Sequence, residues 1–438
     1  MATETLGGPA VIDLGLDRGE PDTYASPTRA TTPSWFGPLM VGLLVLVCSA
    51  GSAAPQPPPL APVLSLSVGP ADSYAVTDAG QLLTQSFGTL SSYDLKTGRL
   101  RWQTESLTPT YRLRTGSGVV LLRPWANGPG QPGTTAISEA TGVVWWRREA
   151  SVVLIPDSSA LLAVSAVRSV VGAGRWVEGP VEFVDPRTGV TRWRVEVPST
   201  AVLLSVPGPA GQAPRMLLVH DDRRMTLHDL GTGRLLNTAP LPGADYGPGN
   251  PAVAGGLIIL QYEVDGRPAV SAYDPVTLRP VWTRPAGGAA ETQPCGVLVC
   301  FAGPSGVLAV DPATGVQRWY QPGWRSVERR GNLLVASGSP VGVSDPIGIV
   351  DPASGRVLVD LRGWRPLTGL AGPDRLLVMR TVDAGARIIV AVAGLGNGQP
   401  RQLADLPPGT GDCQAAPDRL ICRSTAGELT VWSYRPTG

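Results

Sequence analysis

The amino-acid sequence predicts an all-β fold, an eight- to nine-bladed β-propeller of four-stranded antiparallel blades, preceded by one transmembrane helix. Three observations carry that prediction. A short turn motif returns at spacings of 37 to 47 residues, and a period of that size marks a solenoid or a propeller. Two or three runs of β-forming residues precede each turn and no segment shows an amphipathic helical period, so the repeated unit is built of strands. The 54 Gly and 44 Pro are spread along the chain rather than massed in one block, as frequent tight turns require.

In chain order, the first element is a tail, 1–34, expected to be disordered and cytoplasmic, with five acidic residues against Arg18 and Arg29. Within 35–54, the stretch FGPLMVGLLVLVCSAGSAA is uncharged for 19 residues, close to the ~20 that cross a hydrocarbon layer. It is expected to be a single-pass helix. The alternatives are a cleaved signal peptide ending near Ser52-Ala53-Ala54 and a lipid-modified Cys48. The basic residues Arg18 and Arg29 precede the stretch and the next, Lys96, lies far beyond it, which places the N-terminus inside and the rest of the chain outside the cell. A Pro-rich linker, 55–61, leads to the propeller, 62–438.

Aligned on the turn, the repeats read YDLKTGRLRW at Gly98, ISEATGVVWW at Gly142, VDPRTGVTRW at Gly189 and HDLGTGRLLN at Gly233. They continue as YDPVTLRPVW around Leu278, VDPATGVQRW at Gly315, VDPASGRVLV at Gly355 and a worn VAGLGNGQPRQ at Gly398. Apolar runs such as GVVLLRP (118–124), MLLVHDD (216–222), LIILQYEV (257–264), NLLVAS (332–337) and RLLVMRT (375–381) supply the preceding strands. Asp94, Asp185, Asp229, Asp274, Asp311 and Asp351 stand four residues before the corner, where a carboxylate can accept hydrogen bonds from turn amides. Glycine at the corner supplies a positive φ. Trp102, Trp146, Trp193, Trp282 and Trp319 follow four residues past it, where a ring can cover the flank of the adjoining blade at a gain of roughly 2–3 kcal/mol each. These residues are therefore expected to be structural rather than catalytic.

The pattern of Asp, two spacers, Thr-Gly, three spacers and Trp resembles the tryptophan-docking motif of the PQQ-like β-propeller repeat family. That family includes quinoprotein alcohol dehydrogenases and non-catalytic propellers such as the lipoprotein subunit of an outer-membrane assembly machine. The resemblance extends from about residue 62 to 438. This chain departs from it at Ser138 and Gly394 in the Asp position, at Leu278 in the Gly position, and at Asn237, Val359 and Gln402 in the Trp position. It implies the propeller fold but no single activity. Ring closure requires a partner for the last strands, and PVLSLSV (62–68), which is similar to the outgoing strand RVLVDLR (356–362), is the candidate.

The net charge of +1 and the lack of a clustered basic surface argue against nucleic acid. Cys295 with Cys300 and Cys413 with Cys422 fall at comparable places in their repeats and are expected as two local disulfides, with four free thiols as the alternative. No metal or cofactor site is expected, because no CxxC or His cluster accompanies them and the histidines are only His220 and His228. Both lie beside acids at strand ends, where a surface or interblade hydrogen bond is expected. Trp125 and Trp176, in the Gly-rich connections WANGPGQPG and VGAGRWVEGP, are candidate binding residues, since loops carry function more often than the framework. The expected role is a monomeric protein-interaction or envelope scaffold that binds an envelope or extracellular protein without catalysis. The alternatives are a PQQ- or metal-dependent oxidoreductase and a ligand-sensing ectodomain.

Overall fold

The computed structural model describes residues 33–51 and 59–435, apart from 106, 108–109, 125–132, 156–157, 159, 172–173, 209–212, 243–250, 289–290, 341–344 and 397. Its contacts divide the chain into two units, Met1–Pro57 and Pro58–Gly438. In the first, the described element is a helix, Phe36–Gly51, of 16 residues. At ~1.5 Å per residue it rises about 24 Å, short of a hydrocarbon layer of ~30 Å. No helix among the described residues is long and apolar enough to cross a membrane. This overturns the expected single-pass helix over 35–54, and with it the placement of the chain in a cell membrane with its N-terminus inside and the propeller outside. The apolar stretch is genuine, but the helix described in it, Phe36–Gly51, is too short for the span expected of it.

The second unit is made of antiparallel sheets. Its described residues form nine four-stranded repeats: 73–104, 110–148, 151–197, 201–240, 252–285, 291–321, 326–360, 365–406, and finally 410–434 completed by Leu60–Ser67. Repeats 3 and 4 share one long strand, Thr191–Val206. Its first half pairs with Gly174–Val184 and its second with Arg215–His220, which fuses the two repeats into a seven-stranded sheet. The stretch read from sequence as a Gly-rich connection, VGAGRWVEGP, is largely strand: Val167 pairs with Val177 and Val170 with Arg175. The β-branched residues on both sides outweigh the glycines there.

The second strand of each repeat shows why the apolar runs are continuous rather than alternating. Along Arg215–His220, Met216 and Leu218 pack into a core shared with repeat 3, whereas Leu217 and Val219 pack into one shared with repeat 5. Successive side chains leave opposite faces of a strand, and here both faces are covered by a neighbouring sheet. The same division recurs throughout the unit, so that nine hydrophobic clusters lie between successive repeats. The cluster of Val68, Leu82, Leu95, Ile421, Leu429 and Val431 joins repeat 9 to repeat 1. None of the described sheets closes on itself. The cycle is completed by side chains between sheets and by one strand exchange.

That exchange pairs Leu60–Ser67 antiparallel with Glu428–Tyr434, setting Leu66 opposite Leu429 and Ser65 opposite Thr430. The strand sought at 62–68 thus lies beside the C-terminal strands and begins two residues earlier than its sequence boundary. Repeat 8 is irregular: Thr368–Gly369 leaves its own sheet and pairs in parallel with Thr410–Ala416 of repeat 9.

Candidate functional site

The turns come first because they position everything around them. Asp94 Oδ1 accepts from the amides of Lys96 at 3.0 Å and Thr97 at 2.9 Å and from the Thr97 hydroxyl at 3.0 Å. Gly98 N–H donates to the Asp94 carbonyl at 2.8 Å. Asp185, Asp229, Asp274, Asp311 and Asp351 hold their own turns by the same kind of hydrogen bond. Hydrogen bonds to the ionised form lower a carboxyl pKa. Asp185 is held down at about 2, first by the Thr188 amide and then by Arg192. Asp311 is lowered chiefly by Arg318, and Asp94 chiefly by the Thr97 amide. The arginine seven residues after the Asp, seen at Arg101, Arg192 and Arg318, faces that carboxylate across the hairpin, a relation that the motif reading did not include.

Each tryptophan reaches the following repeat. The indole N–H of Trp102 donates to Glu139 O at 2.9 Å, Trp146 to Pro186 O at 2.9 Å, and Trp193 to Leu230 O at 3.0 Å. Trp282 donates to Pro312 O at 2.6 Å and Trp319 to Pro352 O at 2.9 Å. The acceptor is always the residue after the turn's Asp position. Beneath the rings lie the turn residues Gly142, Gly189, Gly233, Gly315 and Gly355, where an added Cβ would stand 2.4 to 2.8 Å from indole atoms. A second tie runs from two residues beyond the Trp to the glycine carbonyl: Thr104 to Gly142 at 2.6 Å, Arg148 to Gly189 at 2.6 Å, Arg284 to Gly315 at 2.9 Å and Gln321 to Gly355 at 3.0 Å. Where the Trp is missing, Asn237 Nδ2 donates to Val276 O at 2.9 Å. Leu278 takes the glycine corner with φ 55°.

Cys295 and Cys300 form a disulfide across one hairpin with Cα atoms 5.6 Å apart, and Cys413 and Cys422 form another between paired strands at 4.0 Å. The histidines differ from expectation. His220 and His228 are buried at 3% and 7% exposure, and rather than bonding at the surface or between blades they share the Thr226 hydroxyl of their own repeat at 2.9 and 3.2 Å. The sequence hides this because Thr226 and His228 alternate on one strand while His220 comes from its partner. Trp125 lies outside the described residues, and so does the side chain of Trp176, although Trp176 itself is in a strand, paired with Val202. Among the described residues no three His, Cys, Asp or Glu side chains group as metal ligands.

Two opposite ends of one strand, Gln81–Ser86, carry the features that the framework does not use. At its far end the two-residue turn Phe87-Gly88 has φ of 49° and 82°, and the Phe87 ring is 98% exposed. The equivalent turn of repeat 5 is Asp265-Gly266, with φ of 51° and 70°. At the near end a cleft of about 600 Å3 opens between repeats 1 and 2, bounded by Gln81, Glu139 and Trp145. A neighbouring cleft of about 790 Å3 lies at the closing seam, bounded by Asp78, Asp94 and Arg419.

The comparisons with known proteins agree with this geometry. Residues 177–350 match a family model described as outer membrane protein assembly factor BamB. Over those residues the match agrees with the PQQ-like β-propeller repeats that the Asp, Gly and Trp spacing resembles. A solved structure described as a eukaryotic initiation factor aligns over 89% of this chain and 95% of its own, at 12% identity and TM-score 0.50. BamB from Moraxella catarrhalis aligns over 86% and 99% at 16% identity and TM-score 0.40. A quinohemoprotein alcohol dehydrogenase, ADHIIG from Pseudomonas putida HK5, aligns over 64% and 72% at 12% identity and TM-score 0.39. At such identities the likeness concerns the fold alone. No curated protein matches the sequence.

Proposed function

We propose that residues 60–435 form a nine-bladed β-propeller that acts, as a single copy, as a protein-interaction scaffold, with the Asp, Gly and Trp of the turns that keep them serving to dock one blade on the next. The BamB-like repeat match over 177–350 supports a scaffold role. The observation that carries it is Phe87. A two-residue hairpin turn with both φ positive is met cheaply by Asp-Gly, as at Asp265-Gly266. A phenylalanine in that conformation costs on the order of 1 kcal/mol or more, and Phe87, 98% exposed, recovers nothing by burial. Aromatic rings are enriched where proteins meet, and a partner that covers Phe87 would recover that cost.

The test places a photoreactive benzoylphenylalanine at position 87 in the full-length protein in cells, with the exposed Val297, on a turn of repeat 6, as control. A single reproducible protein adduct at 87 and none at 297 is expected, and Phe87→Asn should abolish capture of the same protein. Absence of a specific adduct at 87 would remove the basis for the scaffold.

A further inference from the structure

We infer that the cleft between repeats 1 and 2 binds an organic cation, a guanidinium or ammonium group. This site is separate from the proposed contact at Phe87, since Gln81 and Ser86 are the two ends of the strand between them.

The position after the turn's Asp is apolar in the other repeats that keep the motif: Leu95, Pro186, Leu230, Pro275, Pro312 and Pro352. Repeat 2 places Glu139 there. Its backbone behaves as at the equivalent positions, with the carbonyl accepting from Trp102 Nε1 at 2.9 Å. Its side chain does not: the residue is only 8% exposed, and Oε1 is buried with no hydrogen-bond partner. A buried acceptor left unpaired costs about 1–3 kcal/mol, and more when it is charged. Leucine or proline, used at the same corner elsewhere, would avoid that cost. Glu139 lines a cavity of about 600 Å3, within the usual size of small-ligand sites, roughly 300–1,000 Å3.

The rest of the lining indicates what would satisfy Glu139. Trp145, partly exposed, forms an aromatic wall, and Asp78 adds a second carboxylate at the mouth. An acid with no donor, a second acid and an indole face are the elements that recognise a planar or alkyl cation, through charge-assisted hydrogen bonds and cation–π attraction. Arg187 is the one basic residue of the lining, and it is exposed and makes no ion pair with either acid. The missing charge is therefore left for a ligand to supply.

Calorimetric titration of the full-length protein with three probes tests this. Agmatine carries a guanidinium and a primary ammonium, the Gly-Arg-Gly peptide, acetylated and amidated at its ends, carries a guanidinium alone on a backbone, and Gly-citrulline-Gly capped in the same way is its uncharged isostere. Saturable binding of a guanidinium probe at least about tenfold tighter than the citrulline peptide is expected, because a charge-assisted hydrogen bond exceeds the roughly 1.4 kcal/mol that tenfold represents. If agmatine binds more tightly than the peptide, the ligand is a free small cation. If only the peptide binds, it is a side chain of a partner. Glu139→Gln should weaken binding about tenfold. Glu139→Leu should abolish binding while raising the melting temperature, the reverse of what a framework residue would do, and the exposed Asp78→Asn gives a binding readout without risk to folding. Equal binding of the citrulline peptide, no binding by any probe, or indifference to all three substitutions would overturn the inference.

Discussion

Trp193 of repeat 3 lies against the backbone of Gly233 in repeat 4, so close that a Cβ on Gly233 would stand 2.7 Å from the ring. The same indole donates to the Leu230 carbonyl three residues earlier at 3.0 Å. The contact fixes sequence at both ends: the corner must have positive φ, and it must also lack a side chain.

Those two requirements are separable. Gly80 has φ +73°, almost that of Gly233 at +72°, but nothing lies within 4 Å of where its Cβ would be. Gly80→Ala should cost only the left-handed strain, about 1 kcal/mol. Gly233→Ala should cost that plus roughly 1–3 kcal/mol of overpacking. Urea denaturation of both variants measures the difference, and equal losses would mean that Trp193 does not pack on the turn.

The closing strand permits a covalent test. Ser65 and Thr430 face each other across the seam, with hydroxyl oxygens 3.4 Å apart and 365 residues between them in sequence. A Ser65→Cys/Thr430→Cys variant should oxidise to one intramolecular disulfide and migrate faster on non-reducing gels. Closing so long a loop should stabilise the protein by on the order of 5 kcal/mol in the chain-entropy account. Failure of the two cysteines to join under mild oxidation would show that the N-terminal strand does not complete repeat 9.

The architecture was legible because the turn repeats its chemistry. Asp94, Gly98 and Trp102 each answer a separate physical need at fixed spacing, so worn copies such as Asn237 for Trp and Leu278 for Gly still keep register. The long hairpin around Val167 and Val177 was misread since glycine at 172 and 174 signals a turn more strongly than neighbouring valines signal a strand. The membrane span was not borne out because hydropathy counts apolar residues and does not give helix length, which is 16 residues over Phe36–Gly51. The cation cleft was not foreseen at all. Glu139 stands out only when aligned by repeat position and seen to be buried, and the second fact belongs to packing rather than to any motif.

Both disulfides close short loops within single repeats, with sequence separations of 5 and 9. Each should contribute about 2–3 kcal/mol by loop entropy, and neither ties one repeat to another. Reduction should lower the urea midpoint while leaving the far-ultraviolet β signal intact below the transition. Thiol alkylation followed by mass spectrometry should find Cys295, Cys300, Cys413 and Cys422 unreactive until reductant is added. Labelling of these four without reductant in the oxidised, unfolded protein would show that the bridges are absent.

The histidine pair predicts how stability depends on pH, and its hydrogen bonds order the protons. Gly233 O can only accept, so His228 Nδ1 carries a proton and donates to it at 3.1 Å. His228 Nε2 then accepts from the Thr226 hydroxyl, and His220 Nε2 donates to the Thr226 oxygen. His220 Nδ1 is left as a buried acceptor without a partner. Both imidazoles are neutral in this arrangement, and burial holds both below the ordinary 6.5; for His220, Asp222 and Asp221 oppose the effect while Arg224 and His228 add to it. The unfolded chain therefore binds more protons than the folded one as pH drops below about 6.5, and stability falls there by at most roughly 1.4 kcal/mol per pH unit for each histidine before levelling off beneath the folded values. The turn carboxylates act later, because their folded values lie below 3.8 and their contribution is lost only on acidification through that range. Urea midpoints measured from pH 7.5 to 5 should decline for the native protein. They should flatten in His220→Gln/His228→Asn, where the amides can still donate to Thr226 and Gly233. An unchanged slope in that variant would mean that the pair titrates as freely when folded as when unfolded.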